Sequence, residues 1–320
     1  MEKKIKKIMV IHQGALGDML MSLPALYALK KEYGSSISLY CGGGKGLIAK
    51  KLGVVEKYFS TESKTFSSLY TRFVEQNFQN EMSRYDFGIY FGFSLDLEQK
   101  LKNLIPDVVR IPPRPEATKQ IHTAVFLYQS LMEKGLLSKN HFSSAGIFEG
   151  LPVKLKPAKK TRVLIHPGAG SPRKCWPCHN FLKVFNELEK QGIKADILLG
   201  PAEKHLENFF KEAGCSLILD TGIQSLFNLL LHCRGFIGND SGVAHLAAII
   251  GIPVTAVFGP SDSLRWHPPG PEVTVVTSNH DCQPCFETKN MNCETEDCLK
   301  KISPDKVLNA FFDMIDSLKS

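Results

Sequence analysis

The sequence predicts an α/β protein of two domains, each built on a parallel sheet. Short apolar runs alternate with segments of helical spacing, and glycine-rich turns follow several of the apolar runs. Near the middle, residues 150–161 hold two prolines and four lysines and lack periodicity, which is typical of a linker. Strands that alternate with helices form parallel sheets covered on both faces. We therefore expect two Rossmann-like domains, residues 1–155 and 156–320, whose sheets face a central cleft.

The first half opens with a buried strand at residues 7–12, a glycine-rich turn, and a helix over 20–33 that stops at Gly34. Pro24 lies inside that helical pattern, so the helix begins near Ser22 or bends at the proline. The remaining predictions are strands at 37–41 and 85–91, a polar, poorly patterned stretch at 61–83, a loop at 106–115 and a helix at 122–134.

The second half repeats the alternation. Strands are expected at residues 162–166, 194–199 and 216–219, and helices at 181–191, 206–212 and 225–231. A strand up to Asn239, a helix from Gly242 and a strand ending near Phe258 come next. We expect residues 303–318 to form a last helix, and one alternative is that this helix packs against the first domain.

The net charge and the length of the apolar runs indicate which partners the protein binds and in which compartment it works. Lysine and arginine exceed aspartate and glutamate by 39 − 32 = 7, which suits an anionic substrate or surface. The basic start, with Lys3, Lys4, Lys6 and Lys7, is a solvated lead-in to the first strand or a contact for anionic lipid headgroups. The apolar run that follows is too short for a signal peptide, and none approaches a membrane span. We expect a cytoplasmic protein whose nine cysteines stay reduced, with no nucleic-acid partner.

The first candidate site is the turn Gly14-Ala15-Leu16-Gly17-Asp18 after the first strand. Its glycines permit a sharp turn and a close approach to a ligand. Asp18 would then stand at the mouth of the cleft, where a general base is useful. The alternative is that Asp18 only caps the following helix.

The second candidate is the loop His166–Pro177. Gly168 and Gly170 open the backbone, Ser171 supplies a hydroxyl, and Arg173 and Lys174 supply positive charge. These groups suit the binding of a diphosphate and its stabilisation as a leaving group. The alternative is a solvated basic loop. We expect Trp176 to be a packing anchor.

The third candidate is the stretch from Gly238 to Ala248, which places small polar residues where a helix begins. Free N–H groups and the positive end of the helix dipole favour phosphate there. Ser241 and Gly242 would present N–H groups, Asp240 would orient substrate hydroxyls, and His245 is a ligand contact or a structural histidine. Glu203, just after a strand, is a candidate for ribose hydroxyls or else a surface residue.

Cys282, Cys285, Cys293 and Cys298 are close in sequence. Four thiolates suit zinc, although their gaps fit no common zinc pattern, so reduced or loosely paired thiols remain the alternative. Cys175 and Cys178 have a Cys-x-x-Cys spacing, but Trp176 and Pro177 between them favour a local turn over redox chemistry.

Together these motifs resemble glycosyltransferase family 9, the ADP-heptose:lipopolysaccharide heptosyltransferases. The segments that carry the resemblance are Gly14–Asp18 with Leu23–Leu26, His166–Pro177, and Asn239–Pro260 with Arg265-Trp266. The resemblance implies the GT-B architecture, an acceptor domain followed by a nucleotide-sugar domain, and inverting transfer without a metal or other cofactor. It implies an ADP-heptose-type donor, a lipopolysaccharide core acceptor, and peripheral contact with the cytoplasmic face of the inner membrane.

The resemblance also assigns roles. It implies that Asp18 is the catalytic base and that Lys174 binds and stabilises phosphate. It implies substrate binding by a set of polar or small residues: Gly14, Gly17, Ser171, Glu203, Asp240, Ser241, Gly242 and His245. One departure is that His12 and Gln13 stand where many relatives carry arginine before the first glycine turn.

Two other classes remain open from the sequence. One is a nucleotide-sugar epimerase of the same architecture, and the other is a non-catalytic nucleotide- or glycan-binding protein. A Rossmann dehydrogenase is disfavoured because the first turn lacks Gly-x-Gly-x-x-Gly.

Overall fold

The structure is a computed structural model that describes residues 5–138, 147, 151, 161–278, 284–287, 293 and 296–318. The chain divides into two compact units. The first comprises Met1–Glu116 with Thr123–Ile147, and the second comprises Ala117–His122 with Phe148–Ser320. The domain boundary expected at residues 155 and 156 lies outside the described residues.

The first unit contains a five-stranded parallel sheet in the order β3-β2-β1-β4-β5. Its strands are β1 (Lys7–His12), β2 (Ser36–Cys41), β3 (Lys57–Ser60), β4 (Phe87–Phe91) and β5 (Val108–Ile111). Every residue of β4 and all but the first of β1 are buried, because helices cover both faces of the sheet.

The helices of the first unit are α1 (Leu16–Tyr33), α2 (Gly46–Lys51), α3 (Lys64–Ser67), α4 (Gln76–Met82), α5 (Leu95–Lys102) and α6 (Thr123–Glu133). A single 3₁₀ turn, Ser68–Tyr70, follows α3. Helix α1 ends at Gly34, whose φ of 60° is the left-handed conformation that glycine adopts without strain.

Two local predictions in the first unit are wrong. The first long helix begins at Leu16, so a start at residue 20 or near Ser22 is wrong; the other alternative, a helix that continues past Pro24, is the one observed. Asp18 therefore lies in its first turn, and its carboxylate accepts the Ala15 N–H at 3.0 Å. The stretch 106–115, predicted as a loop, contains β5. Prolines flank this edge strand without interrupting it, so its pairing with β4 is preserved.

The second unit contains a six-stranded parallel sheet in the order β11-β10-β9-β6-β7-β8. Its strands are β6 (Arg162–His166), β7 (Ala195–Leu199), β8 (Leu217–Leu219), β9 (Cys233–Asn239), β10 (Val254–Val257) and β11 (Val273–Val276). In the register of the central pair, His166 lies opposite Gly238. Both sheets confirm the α/β class with parallel strands that the sequence predicts.

The helices of the second unit are α7 (Cys178–Lys190), α8 (Glu207–Glu212), α9 (Ile223–Leu231), α10 (Gly242–Ile249), α11 (Ser263–Trp266), α12 (Asp297–Lys300) and α13 (Pro304–Ser317). Helix α13 corresponds to the last predicted helix, and its buried residues belong to the core of the second unit beside Trp176 and Phe181. Within the described residues, no helix combines the length and hydrophobicity needed to cross a bilayer.

Candidate functional site

The candidate residues of the second unit gather because the strands are parallel. The loops after β6, β7 and β9 all leave from the carboxyl edge of the sheet. These loops carry Ser171 with Lys174, Glu203, and Asp240 with Ser241. Ligands of open α/β sheets bind at this edge, so the fold places the predicted polar groups where a ligand is expected.

Asn239, the last residue of β9, holds the loop after β6 in place. Its side chain is fully buried, and its Nδ2 donates to the Pro167 carbonyl at 2.7 Å. Its Oδ1 accepts the Trp176 N–H at 3.0 Å. One amide therefore fixes both ends of the loop that carries Ser171 and Lys174. Sequence reasoning missed this role, although a polar residue that ends an apolar strand was a signal.

Trp176 is a packing residue, as the sequence predicted. It is 1% exposed, packs edge-on against Phe181 with ring centroids 4.9 Å apart, and donates its Nε1–H to the Ile302 carbonyl at 3.1 Å. This anchor fixes the backbone two residues after Lys174.

Lys174 and Asp240 form an ion pair at the edge of the sheet. Lys174 Nζ lies 2.7 Å from Asp240 Oδ2, and the Asp240 side chain is 5% exposed. Burial by itself raises the pKa of the Asp240 carboxyl, but His245 and Lys174 outweigh burial and lower that pKa to about 2. The carboxylate is therefore ionised at neutral pH, and it holds the lysine ammonium in one position.

His245 lies on the other side of the same carboxylate. Its Nε2 is 3.7 Å from Asp240 Oδ1, and its side chain is 4% exposed. The Nδ1 atom is buried and makes no hydrogen bond within the described part of the chain. One ring nitrogen thus faces Asp240, and the other is an unused polar group in the same site.

Helix α10 begins beside this cluster. Ser241 is its N-cap, and the hydroxyl accepts the Ala244 N–H at 3.3 Å. The N–H groups of the first turn, from Gly242 on, have no acceptor within the helix and carry the positive end of its dipole. The structure therefore places a lysine ammonium and a helix N-terminus at adjacent strand ends, a combination that suits phosphate.

Ser171 begins the 3₁₀ turn Pro172–Lys174, and its carbonyl accepts the Lys174 N–H at 3.0 Å. The hydroxyl does not cap this turn, and the residue is partly exposed. It remains available to a ligand bound near Lys174.

Glu203 is buried, so the alternative of a surface glutamate is wrong. Its Oε2 accepts the Gly200 N–H at 3.0 Å at the start of the 3₁₀ turn Pro201–Leu206. The carboxylate packs against Gly168, where an added Cβ would lie 2.3 Å from Glu203 Cδ. Any side chain at position 168 would therefore displace the Glu203 carboxylate from its present place.

An aromatic residue that sequence reasoning missed lies against Lys174. The centroid of the Phe286 ring is 4.3 Å from Lys174 Nζ and 5.9 Å from Arg173 Cζ. Cations at these distances are attracted to the ring face. Phe286 follows Cys285 in the cysteine-bearing tail, and both residues donate their N–H groups to the Pro260 carbonyl at 3.0 Å.

A buried ion pair fixes the segment that carries Phe286. Glu287 Oε2 lies 2.7 Å from Arg265 Nη1 and accepts the Trp266 Nε1–H at 3.0 Å. Arg265 is 1% exposed and also donates to the Ala117 carbonyl at 3.0 Å. The resemblance included Arg265-Trp266 without assigning a role, and the structure gives them one: they hold Glu287, and thereby Phe286, beside Lys174.

The candidate residues of the first unit form a tight turn. Asp18 is partly buried, and its Oδ2 caps α1 through the Ala15 N–H. The Gly14 carbonyl accepts a hydrogen bond from Lys45 Nζ at 2.5 Å. A Cβ on Gly14 would lie 2.8 Å from both Asp18 Cβ and His12 Cε1, so this position requires glycine. Gly17 lies in the first turn of α1. The capping role is thus observed, and it occupies one carboxylate oxygen.

The zinc hypothesis for the cysteines stays a prediction. Cys282 lies outside the described residues, and those that are described include no cluster of three histidine, cysteine or acidic groups fit for a metal. Cys175 is partly buried, and burial, with Glu203 nearby, raises the pKa of its thiol. A protonated thiol is a poor nucleophile, so the raised pKa of Cys175 argues against redox chemistry at Cys175 and Cys178.

Two all-parallel α/β units, with phosphate-suited loops at the carboxyl edge of the second sheet, form the GT-B type of fold. The model of glycosyltransferase family 9 (heptosyltransferase) matches residues 127–295, more than half of the chain. The chain belongs to glycosyltransferase family 9, and it is a transferase. The resemblance inferred from the motifs is confirmed.

Alignments with similar proteins cover nearly the whole chain. The chain is 27% identical to lipooligosaccharide heptosyltransferase 2 of Campylobacter jejuni subsp. jejuni serotype O:6, over 92% of this chain and 94% of that protein. The fold is similar to that of a glycosyl transferase family 9 protein from Veillonella parvula, with a TM-score of 0.75, 19% identity, and 100% and 99% of the two chains covered. It is also similar to E. coli ADP-heptose lps heptosyltransferase II, with a TM-score of 0.71, 17% identity, and coverage of 98% and 100%.

Proposed function

We propose that this chain transfers a heptose from an ADP-heptose-type donor to a lipopolysaccharide or lipooligosaccharide core acceptor. Family membership and the names of the similar proteins support the sugar and the acceptor. The observation that carries the proposal is the Lys174–Asp240 ion pair beside the N-terminus of α10. That arrangement suits the diphosphate of an activated sugar better than a neutral ligand.

The second unit binds the donor. Lys174 and the N–H groups that start at Gly242 hold the diphosphate, and the Ser171 hydroxyl donates a further hydrogen bond. Asp240 fixes Lys174 and, with His245, orients sugar hydroxyls. Glu203 accepts hydrogen bonds from the ribose. Lys174 and the helix dipole neutralise the charge that develops on the leaving ADP, so transfer needs no metal or other cofactor.

The first unit supplies the base. The acceptor hydroxyl oxygen attacks the anomeric carbon while Asp18 removes its proton. The new carbon–oxygen bond forms as the bond to the diphosphate oxygen breaks on the opposite face, so the anomeric configuration inverts. Asp18 leaves the step protonated, and ADP leaves with the bonding electron pair.

Two other functions remain distinguishable by experiment. An epimerase converts the nucleotide sugar without a second sugar, and a non-catalytic protein binds nucleotide and releases nothing. Family membership favours transfer over both. Because the proposed acceptor is a glycolipid, we propose that the enzyme works at the cytoplasmic face of the membrane that holds this lipid.

The test is to incubate the purified chain with ADP-heptose and a lipopolysaccharide core acceptor and to measure ADP release and acceptor mass. The expected result is ADP release that depends on both substrates, together with an acceptor heavier by one heptose of inverted configuration. A changed donor in the absence of acceptor identifies an epimerase. Donor binding without turnover across a panel of core acceptors contradicts the proposed reaction.

A further inference from the structure

His166 is the last residue of β6 and lies at the carboxyl edge of the second sheet. Its side chain is 6% exposed, and its Nδ1 lies 3.1 Å from the Leu198 carbonyl on the neighbouring strand β7. Because a carbonyl oxygen only accepts, Nδ1 carries the proton of this hydrogen bond. The bond therefore fixes both the orientation of the ring and its tautomer.

The other ring nitrogen, Nε2, is a hydrogen-bond acceptor. Burial lowers the pKa of His166, and this effect outweighs the Leu198 carbonyl and Glu203, which raise it, so the imidazole is neutral at pH 7. A neutral imidazole with its proton on Nδ1 has a lone pair on Nε2. Within the described part of the chain Nε2 makes no hydrogen bond, and it does not belong to the unpartnered atoms that are fully buried. A lone pair is thus open to a ligand at this edge of the sheet.

Glu203 presents a second acceptor beside this ring. Its Oε2 accepts the Gly200 N–H at 3.0 Å, whereas Oε1 has no hydrogen-bond partner among the described residues. A Cβ built on Gly168 would lie 2.3 Å from Glu203 Oε1 and 2.7 Å from His166 Cε1. The carboxylate and the imidazole therefore flank one point, which is vacant because residue 168 is glycine.

The two acceptors do not satisfy each other. Neither Nε2 nor the carboxylate has a hydrogen to donate, and no hydrogen bond or ion pair joins His166 to Glu203 in the residues that the structure describes. Both side chains are more than nine-tenths buried, with 6% and 8% of their surface exposed. Acceptors that are nearly removed from water carry a cost, which a ligand with two donors removes.

We infer that His166 Nε2 and Glu203 Oε1 bind the two neighbouring hydroxyls of the donor ribose, one hydroxyl each, and that His166 thereby gives specificity for ribose over deoxyribose. The 2′- and 3′-hydroxyls are donors on adjacent carbons, which suits two acceptors on either side of a glycine. The loop that starts at His166 also carries Lys174, so the ribose and the diphosphate of one nucleotide contact the same loop. The inference rests on the proposed function, in which Glu203 binds the ribose, and adds His166 as the partner of the second hydroxyl.

The test is calorimetric binding of ADP, 2′-deoxy-ADP and 3′-deoxy-ADP to the full chain. The wild type should bind each deoxy nucleotide about tenfold more weakly than ADP, because a missing hydroxyl leaves one buried acceptor unpaired. This comparison needs neither a variant nor an acceptor sugar. Equal binding of the three nucleotides would overturn the inference and leave heptose transfer untouched. Absence of ADP binding would overturn both the inference and the proposed function.

Two substitutions separate the roles of the two ring nitrogens. His166→Asn keeps an amide donor near the position of Nδ1 and removes Nε2, whereas His166→Gln places a terminal amide near the position of Nε2. His166→Asn should bind ADP about tenfold more weakly and should no longer distinguish ADP from one of the two deoxy nucleotides. The other deoxy nucleotide should remain about tenfold weaker than ADP, because Glu203 is intact. His166→Gln should recover part of the lost discrimination.

His205→Asn is the matched control. The exposed His205 also places its Nδ1 near a backbone carbonyl, that of Ala202 at 3.2 Å, and its variant should bind all three nucleotides like the wild type. If His166→Asn weakened ADP and both deoxy nucleotides by the same factor, His166 would have a structural role alone and the inference would be wrong. It would also be wrong if His166→Asn lost discrimination between ADP and inosine diphosphate instead, since the pair would then contact the amino group of the base.

Discussion

Lys174 Nζ lies 2.7 Å from Asp240 Oδ2, and the two residues stand on loops that follow the adjacent strands β6 and β9. The carboxylate is buried and ionised, because His245 and Lys174 lower its pKa to about 2 against the effect of burial. A lysine held in this way needs no reorganisation when negative charge develops on a leaving diphosphate. This geometric relation underlies the proposed donor site.

Replacing Lys174 by methionine should reduce turnover about 100-fold, since an electrostatic stabiliser of the leaving group is lost. The donor should also bind more weakly, as measured by calorimetry with ADP. Lys183→Met, at an exposed lysine of α7, is the control and should behave like the wild type. Wild-type kinetics in Lys174→Met would remove Lys174 from the assigned role.

Replacing Phe286 by alanine should raise the KM for the donor several-fold and change kcat less, because the ring positions Lys174 without reaching the reacting atoms. Phe286→Tyr keeps the ring face and should restore the KM. The measurement is steady-state kinetics with the donor varied. If alanine and tyrosine gave the same KM as phenylalanine, the ring would have no positioning role.

Replacing Asn239 by alanine should lower the free energy of unfolding by about 2–3 kcal/mol, because the Trp176 N–H and the Pro167 carbonyl lose their buried partner. Urea unfolding measures the change. Asn228→Ala, at an exposed asparagine of α9, should cost far less. Equal effects at the two positions would show that Asn239 does not hold the loop.

Stability should fall in mild acid because two histidines of the second unit, the buried His122 and the partly buried His267, resist protonation. Burial is the main reason that the pKa of His122 is lowered to about 3 and that of His267 to about 4. In the unfolded chain both titrate near 6.5, so below that pH the unfolded state binds more protons than the folded state. The contribution of these two histidines to the free energy of unfolding should therefore not change with pH above 6.5. It should decrease by about 1.4 kcal/mol per pH unit for each histidine as the pH falls toward 4.

The measurement is urea unfolding between pH 4 and 8. His122→Gln should reduce the slope below pH 6.5, whereas His205→Gln, at an exposed histidine, should leave it unchanged. A slope that is the same in His122→Gln and in the wild type would contradict the assignment.

Local patterns in the sequence predicted what depends on local structure. The apolar runs predicted most of the parallel strands but not the outer strands β3 and β11, and the position of each polar loop after a strand placed Lys174 and Asp240 at one edge. The helix start and β5 were mispredicted because a proline signal was given more weight than capping by Asp18 and pairing with β4.

The contacts of Asn239, Phe286 and the Arg265–Glu287 pair were not predictable in the same way. Asn239 reaches Trp176 across 63 positions, and Phe286 reaches Lys174 from a tail whose cysteines suggested only metal binding. Such pairs follow from strand order and loop packing, which a single sequence does not specify.

The most direct test of the central claim is turnover of Asp18→Asn with ADP-heptose and a core acceptor. Asparagine still accepts the Ala15 N–H, so the cap of α1 and the fold should survive, which melting and ADP binding will check. Asp18→Asn should keep wild-type ADP affinity and lower kcat by about 10²–10⁴-fold, the usual contribution of a general base. A kcat equal to that of the wild type would contradict Asp18 as the base and, with it, the mechanism.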